Sequence, residues 1–424
     1  MISIKDKNKE SFYLSKSKVI IIVFILCFLS VSAEIGCTNS PNKNVAIESV
    51  INENSYKEVT LWFDGTKMDD SKADGSIYKK ISHGRYVCLI NFLEGDPVNV
   101  RWFGAKGDGV ANDTKPFISA LSFCDKSGRD FTVPHGCYIL NSESINFRNK
   151  NFNVIGVGRP TLKYVGKGRA FIAEPTADED YFAATRIENF IIEGNSSTTV
   201  GFGIYGYVRG SIRNIEVKNV SRDAFLLAGC VSVLFESLKF SGAKQDFRPE
   251  YGIRMIGHKS IDYTSNCTFI NTIIEAYPKI GVNLINASGC IFTGGTFESC
   301  GTGLIISNAC RLNTFENVWF EDNSVKDVEI AGTSNLFKNC NFQSSGSEGT
   351  VIITAGKNTT FVGGYLRFVQ NKNATSNTLF LGCALNENIT GTLGIRGHQD
   401  YKSMGTVYVN DKGVPVSKLQ DKFK

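Results

Sequence analysis

Phe269-Ile270-Asn271-Thr272-Ile273-Ile274-Glu275 returns 23 residues later as Phe292-Thr293-Gly294-Gly295-Thr296-Phe297-Glu298, and again as Phe315-Glu316-Asn317-Val318-Trp319-Phe320-Glu321. It continues as Phe337-Lys338-Asn339-Cys340-Asn341-Phe342-Gln343 and Phe361-Val362-Gly363-Gly364-Tyr365-Leu366-Arg367, and fainter frames start at Ile187, Ile212 and Phe235. From residue 187 to residue 361 the leading apolar position advances by 25, 23, 34, 23, 23, 22 and 24. A period near 23 is too short for a propeller blade and carries no leucine-rich consensus. It fits one coil of a parallel β-helix, where each coil lies about 4.8 Å from the last, the ordinary spacing of paired strands.

Three columns give this reading its physical content. The first, Ile187, Ile212, Phe235, Phe269, Phe292, Phe315, Phe337 and Phe361, is apolar and should stack inside. The second, two residues on, is Asn189, Asn214, Ser237, Asn271, Gly294, Asn317, Asn339 and Gly363. Asn and Gly tolerate the left-handed backbone of a tight turn, and stacked Asn amides can bond along the axis. The third column, five residues after the first, is apolar again: Ile192, Val217, Phe240, Ile274, Phe297, Phe320, Phe342 and Leu366. A further alternating run, such as Val282-Asn283-Leu284, reads as another strand of the coil.

The open end of such a stack would invite other chains, so a cover is expected. Asn112-Asp113-Thr114 offers a helix start, Pro116 suits a first turn, and Phe117, Ala120, Leu121 and Cys124 follow at helical spacing. The expected fold class is therefore all-β: a right-handed parallel β-helix with an N-terminal capping helix.

The 424 residues include 41 Gly and only 9 Pro, a balance that suits many turns and many paired strands. Lys5, Lys7, Lys9, Lys16 and Lys18 precede an apolar run at residues 19–31, followed by Ser32-Ala33. That pattern reads as a signal peptide over residues 1–33, since the run is shorter than the roughly 20 residues of a spanning helix. An uncleaved anchor and a lipid-bearing Cys37 are the alternatives, and they are the only membrane links expected. The expected location is secreted, periplasmic or cell-surface. Residues 34–97 read as a small β-rich lead-in, 98–380 as the β-helix and 381–424 as a C-terminal closing segment. Net charge is +5, with no basic stripe interleaved with aromatics, so nucleic acid is not an expected partner. The 12 Cys are scattered without CxxC pairs, which argues for buried thiols and against a zinc site or a disulfide framework.

Val98-Asn99-Val100-Arg101-Trp102-Phe103-Gly104-Ala105-Lys106-Gly107-Asp108-Gly109, with Asn112-Asp113-Thr114 after it, resembles the opening of the pectate-lyase-like β-helix superfamily. Val133-Pro134-His135-Gly136-Cys137-Tyr138-Ile139-Leu140 is similar to its first strand after the helix. The resemblance covers about residues 98–380. It implies an exported protein acting on polysaccharide, often an acidic one. It leaves the reaction open, because lyases, hydrolases, epimerases and phage tailspikes share the architecture.

The chemistry-bearing column follows the third apolar one: Glu193, Lys218, Ser241, Glu275, Glu298, Glu321, Gln343 and Arg367. Three Glu in successive coils would sit about 5 Å apart, and like charges that close raise a pKa. An acid beside a carboxylate is what glycoside hydrolysis uses, and a separation near 5 Å favours the retaining geometry. The longest step adds residues 242–250, with Asp246, Lys244 and Arg248, one coil before Glu275, and a second stretch beginning at His258. Glu275, Glu298 and Asp246 are the expected catalytic carboxylates. Asp223, Lys244, Arg248, His258 and Glu321 are expected to line the substrate groove. The competing expectation is that the Glu column is a solvated turn face and that Asp246 and Arg248 form a surface ion pair worth little. Hydrolysis needs no cofactor. Elimination would need a base, a cation for the developing enolate and, in one version, Ca²⁺ held by oxygen ligands. Gly257-His258 is similar to the Gly-His pair of polygalacturonases, but their paired Asp-Asp and Arg-x-Lys have no counterpart. The two function classes that remain are a glycoside hydrolase or polysaccharide lyase and a non-catalytic, tailspike-like glycan-binding β-helix, monomeric or homotrimeric.

Overall fold

The computed structural model describes residues 55–407, apart from 142–143, 148–151, 176–180, 184–185, 243–248, 260, 345, 347–349, 374, 386–388, 391–394 and 401–404. The described coils carry three main strand legs, with a short additional pairing such as Ala287–Ser288 against Thr264–Ser265. In the coil quoted above, Thr268–Glu275 supplies the first two and Ile280–Leu284 the third. First and second legs of successive coils pair in one 21-stranded sheet, third legs in an 11-stranded one. The coil-to-coil pairing is parallel and in register. Phe269 lies opposite Phe292, then Phe315, Phe337, Phe361 and Phe380 in turn.

Register puts identical side chains on top of one another. The Phe269 and Phe292 rings stack with centroids 4.3 Å apart and 4° between planes, and the stack runs on through Phe315, Phe337 and Phe361 to Phe380 at 4.9–5.0 Å. Phe297, Phe320 and Phe342 form the second inner column, also fully buried. Third legs close the core with Val282, Leu304, Val328 and Val351 in register.

The bend between the first two legs falls on the expected Asn/Gly column. Asn189, Asn214, Asn271, Asn317 and Asn339 all have φ between 50° and 68°, and Ser237 joins them at 53°. Left-handed backbone costs an ordinary side chain about 1–2 kcal/mol, which Asn partly escapes by local hydrogen bonding. Asn214 Nδ2 donates to Asn189 Oδ1 at 2.9 Å, so the amide ladder exists at this corner. Gly363 is required by crowding as well: a Cβ there would lie 2.3 Å from Asn339 Oδ1.

Polar groups inside are bonded along the axis. Asn313 accepts from the Cys290 amide at 3.0 Å and donates to the Ala287 carbonyl at 3.1 Å. Asn323 accepts from the Cys300 amide at 3.0 Å and donates to Asp327 Oδ1 at 2.8 Å. Asp327 is fully buried, also accepts from the Ser344 amide and hydroxyl, and has its pKa raised to about 6, chiefly by burial. The described cysteines are all free thiols, and all but Cys137 are buried. They act as small interior groups, with Cys300 pushed up to about 12 by burial.

Ahead of the coils, β1 (Tyr56–Val59), β2 (Tyr78–Ser82) and β3 (Arg85–Leu89) form an antiparallel sheet in the order β1-β3-β2. Helix α1 (Thr114–Ser127) follows, with Pro116 in its first turn. Asn112 Oδ1 accepts from the Thr114 amide at 3.0 Å, whereas the Asp113 carboxylate turns back to the Lys106 and Gly107 amides. Phe117 of α1 packs edge-on against Phe131 and Tyr138.

Two outcomes test these contacts. Asn317→Gly should leave the urea midpoint nearly unchanged, while Asn317→Val should lower stability by about 1–2 kcal/mol because a β-branched residue resists the left-handed corner. Equal effects would show that the corner sets no conformational demand. For Asp327 the sign follows from its raised folded-state value. The folded protein holds the proton more tightly than the unfolded chain, so stability is greatest below the unfolded value near 3.9 and declines as pH rises towards about 6. The decline is at most about 3 kcal/mol. Asp327→Asn should flatten melting temperature between pH 4 and pH 7, and an unchanged slope would assign the dependence elsewhere.

Candidate functional site

The glutamate row forms because the strand ladder forces it. Glu275 lies opposite Glu298, which lies opposite Glu321, at the ends of three successive second legs. Their inner neighbours Ile274, Phe297 and Phe320 are buried, so alternation turns the Glu side chains outward. One side of the row continues through Ser241 and Lys218 to Glu193. On the other side Gln343 Nε2 donates to Glu321 Oε2 at 2.9 Å.

The three carboxylates have different surroundings. Glu275 accepts from the Ser241 hydroxyl at 2.6 Å and faces Lys239 Nζ at 3.1 Å. Glu321 accepts the Gln343 amide. Glu298, between them, has its pKa raised by partial burial first, then by Glu321, Glu275 and Asp322. The arrangement therefore holds a carboxyl that keeps its proton longer than usual between two carboxylates, the difference of environment that divides acid from base or nucleophile. Adjacent rungs are about 4.8 Å apart. No group of three or more His, Cys, Asp or Glu among the described residues is arranged to hold a metal ion.

A second column runs beside the Glu row on the same face: Ile273, Thr296, Trp319, Asn341 and Tyr365. Trp319 is 49% exposed.

Of the other expected groove residues, Asp223 and His258 are not part of this row. Asp223 begins a third-leg strand, Asp223–Ala228, and is wholly buried. Arg254 grips it with Nε and an Nη at 2.7 Å each, and Arg222 Nε adds a bond of 2.9 Å. A carboxylate so enclosed is an ion-pair anchor rather than a groove wall. His258 sits past the other end of the third leg, its ring 5.7 Å from that of Tyr205. Lys244, Asp246 and Arg248 lie outside the described residues.

The Asp223 anchor belongs to a cluster that sequence reasoning missed. Arg254 lies over the Tyr251 ring at 5.3 Å and Arg169 over Tyr205 at 5.4 Å, beside a satellite apolar group of Ile172, Val200, Tyr205, Leu226 and Ala228. One signal was available: Asp223-Ala224-Phe225-Leu226-Leu227-Ala228 is nearly continuously apolar, as strands buried on both faces are. Removing one partner of a buried ion pair is costly, so Arg254→Met should destabilise the protein by about 3 kcal/mol. Asp223→Asn combined with Arg254→Met should cost less than the single Arg change. A denaturation cycle with additive effects would refute the coupling.

Residues 190–366 match the family described as right handed beta helix region. Over 138 residues the chain is 29% identical to the preneck appendage protein of Bacillus phage PZA, a match that takes in 31% of this chain and 15% of that protein. The enzymatically active domain of tailspike protein 2 from bacteriophage CBA120 superposes with a TM-score of 0.58 at 14% identity, covering 78% of this chain and 51% of the other. The A-module of mannuronan C-5 epimerase AlgE4 from Azotobacter vinelandii gives 0.51 at 13% identity, covering 69% and 95%. The chain thus spans a small fraction of its curated relative and about half of the tailspike chain. At these identities the two structures share the fold.

Proposed function

We propose that this right-handed parallel β-helix, the architecture expected of the pectate-lyase-like superfamily, is an exported polysaccharide-cleaving enzyme whose chemistry is carried by the Glu275–Glu298–Glu321 row. The observation that supports this reading is Glu298, a carboxyl of raised pKa flanked in register by two other carboxylates. Glu298 serves as the general acid that protonates the leaving glycosidic oxygen. A neighbouring Glu one rung away, near the 5–5.5 Å of retaining enzymes, serves as nucleophile. Glu275 is the better oriented of the two, because the Ser241 hydroxyl and Lys239 hold it in place.

A second reading, a non-catalytic glycan-binding surface protein, draws support from the exposed Trp319 beside the same row.

Incubating the protein with a panel of polysaccharides separates these readings. New reducing ends without the ultraviolet absorbance of an unsaturated uronate mean hydrolysis, and both signals together mean elimination. Glu298→Gln should lower kcat by about 10²–10⁴-fold, the usual share of a general acid. Glu321→Gln removes a negative neighbour, lowers the Glu298 pKa and should move the alkaline limb of kcat/KM to lower pH. Retention of glycans without products supports the second reading, and full activity in Glu298→Gln rejects this site.

A further inference from the structure

We propose that the outer face of the second legs seats an extended, neutral, equatorially linked glycan chain lying along the solenoid axis, with sugar rings stacked on Trp319 and Tyr365. This deepens the polysaccharide reading and rests on it.

The argument starts from spacing. Trp319 lies opposite Asn341, and Asn341 opposite Tyr365, so the two aromatics occupy one outward column two rungs apart. Two strand spacings are about 9.6 Å. That is close to the repeat of two rings in an extended chain of equatorially linked pyranoses. Alternate rings of such a polymer would therefore meet the two aromatics in turn while the ring between them crosses Asn341. The face of a pyranose ring is rich in C–H groups and apolar, whereas its hydroxyls point outward at the rim. An exposed indole takes the face, and adjacent amides and carboxylates take the rim. Those groups are present in the neighbouring column, where Glu321 stands beside Trp319 and Gln343 beside Asn341, bonded to each other at 2.9 Å.

Charge decides the substrate class. Glu275, Glu298 and Glu321 share the row with Asp322 close by, and of these carboxyls Glu275 is paired with Lys239. A polyuronate reaching the rungs of Ile273, Thr296 and Trp319 would bring its carboxylates beside Glu275, Glu298 and Glu321, whereas Gln343 and Arg367 stand beside Asn341 and Tyr365. Like charges a few ångströms apart repel even when partly screened. The face therefore suits a neutral polymer better than the acidic one that the resemblance implies.

The test measures retention on immobilised β-1,4-linked glucose, xylose and N-acetylglucosamine oligomers of increasing length, with oligogalacturonate and oligomannuronate as anionic controls. At least one neutral series should bind, with affinity rising steeply once the oligomer spans both aromatics. Trp319→Ala should weaken that binding about tenfold, as expected for loss of one stacking contact, and Trp319→Phe should recover most of it. Tyr365→Ala should abolish the gain with length. Binding that survives both alanine changes overturns the platform while leaving the polysaccharide reading intact. Binding confined to the anionic series overturns the charge argument. A shift in sedimentation on Trp319→Ala would instead make the face a contact between copies, and failure to bind any glycan removes both readings together.

Discussion

Everything in this protein depends on strands that pair without slipping. Phe269, Phe292, Phe315, Phe337, Phe361 and Phe380 meet ring on ring, and each Phe→Phe step fixes the register of the coil above it. A slip of one residue would send this column into water and bring the outward column inside. The bend at Asn271 or Asn317 makes the constraint stronger, because the left-handed residue must fall at the same place in every coil. The aromatic stack and the Asn corner therefore specify the same alignment by independent physical means.

That alignment dictates where charge sits. Outward positions repeat at the strand spacing whether or not their charges agree, so Glu275, Glu298 and Glu321 are held together by a core that gains nothing from their proximity. Three carboxylates illustrate three different settings. Asp223 is buried and fully neutralised by Arg254 and Arg222. Asp327 is buried without a cation, bonded to Asn323 and Ser344, and is held towards its neutral form. Glu298 is half-exposed beside two of its own kind. The first two are explained by local satisfaction of a buried group. The third has no such local account, which is why it invites a chemical one.

The sequence was most legible where one side chain had one duty. The inner Phe column and the Asn/Gly corner were readable because packing and backbone conformation each admit few residue types. The Glu row was readable because it inherits the phase of those columns. Asp223 was misplaced for a physical reason. Val200 pairs with Asp223 and Phe202 with Phe225, yet Gly201 and Ala224 between them fall outside the ladder. The third leg therefore breaks strict alternation at its start, and no count by twos from Lys218 could assign the face of residue 223. The Arg254–Asp223 pairing is equally invisible, since it joins residues 31 apart on adjacent coils of unequal length. At the helix start the residue types were legible but their division of labour was not: Asn112 bonds the first turn and Asp113 the preceding loop.

This division has a cause in the architecture itself. A solenoid earns its stability from neighbours one coil away, so inward columns must repeat while outward columns are released from that requirement. Trp319 can stand where Thr296 and Asn341 stand on adjacent rungs because nothing inside depends on which of them is there. Outward departures from repetition, such as one exposed indole in a polar column, therefore carry information that the fold does not need. The Glu row is the opposite case, a repetition on the outside that packing does not demand and that electrostatics opposes. A surface that repeats against its own repulsion, beside a column that breaks its pattern to expose an aromatic ring, is difficult to derive from folding alone, and on that ground the second-leg face, rather than the better satisfied Asp223 cluster, is where we propose binding and chemistry.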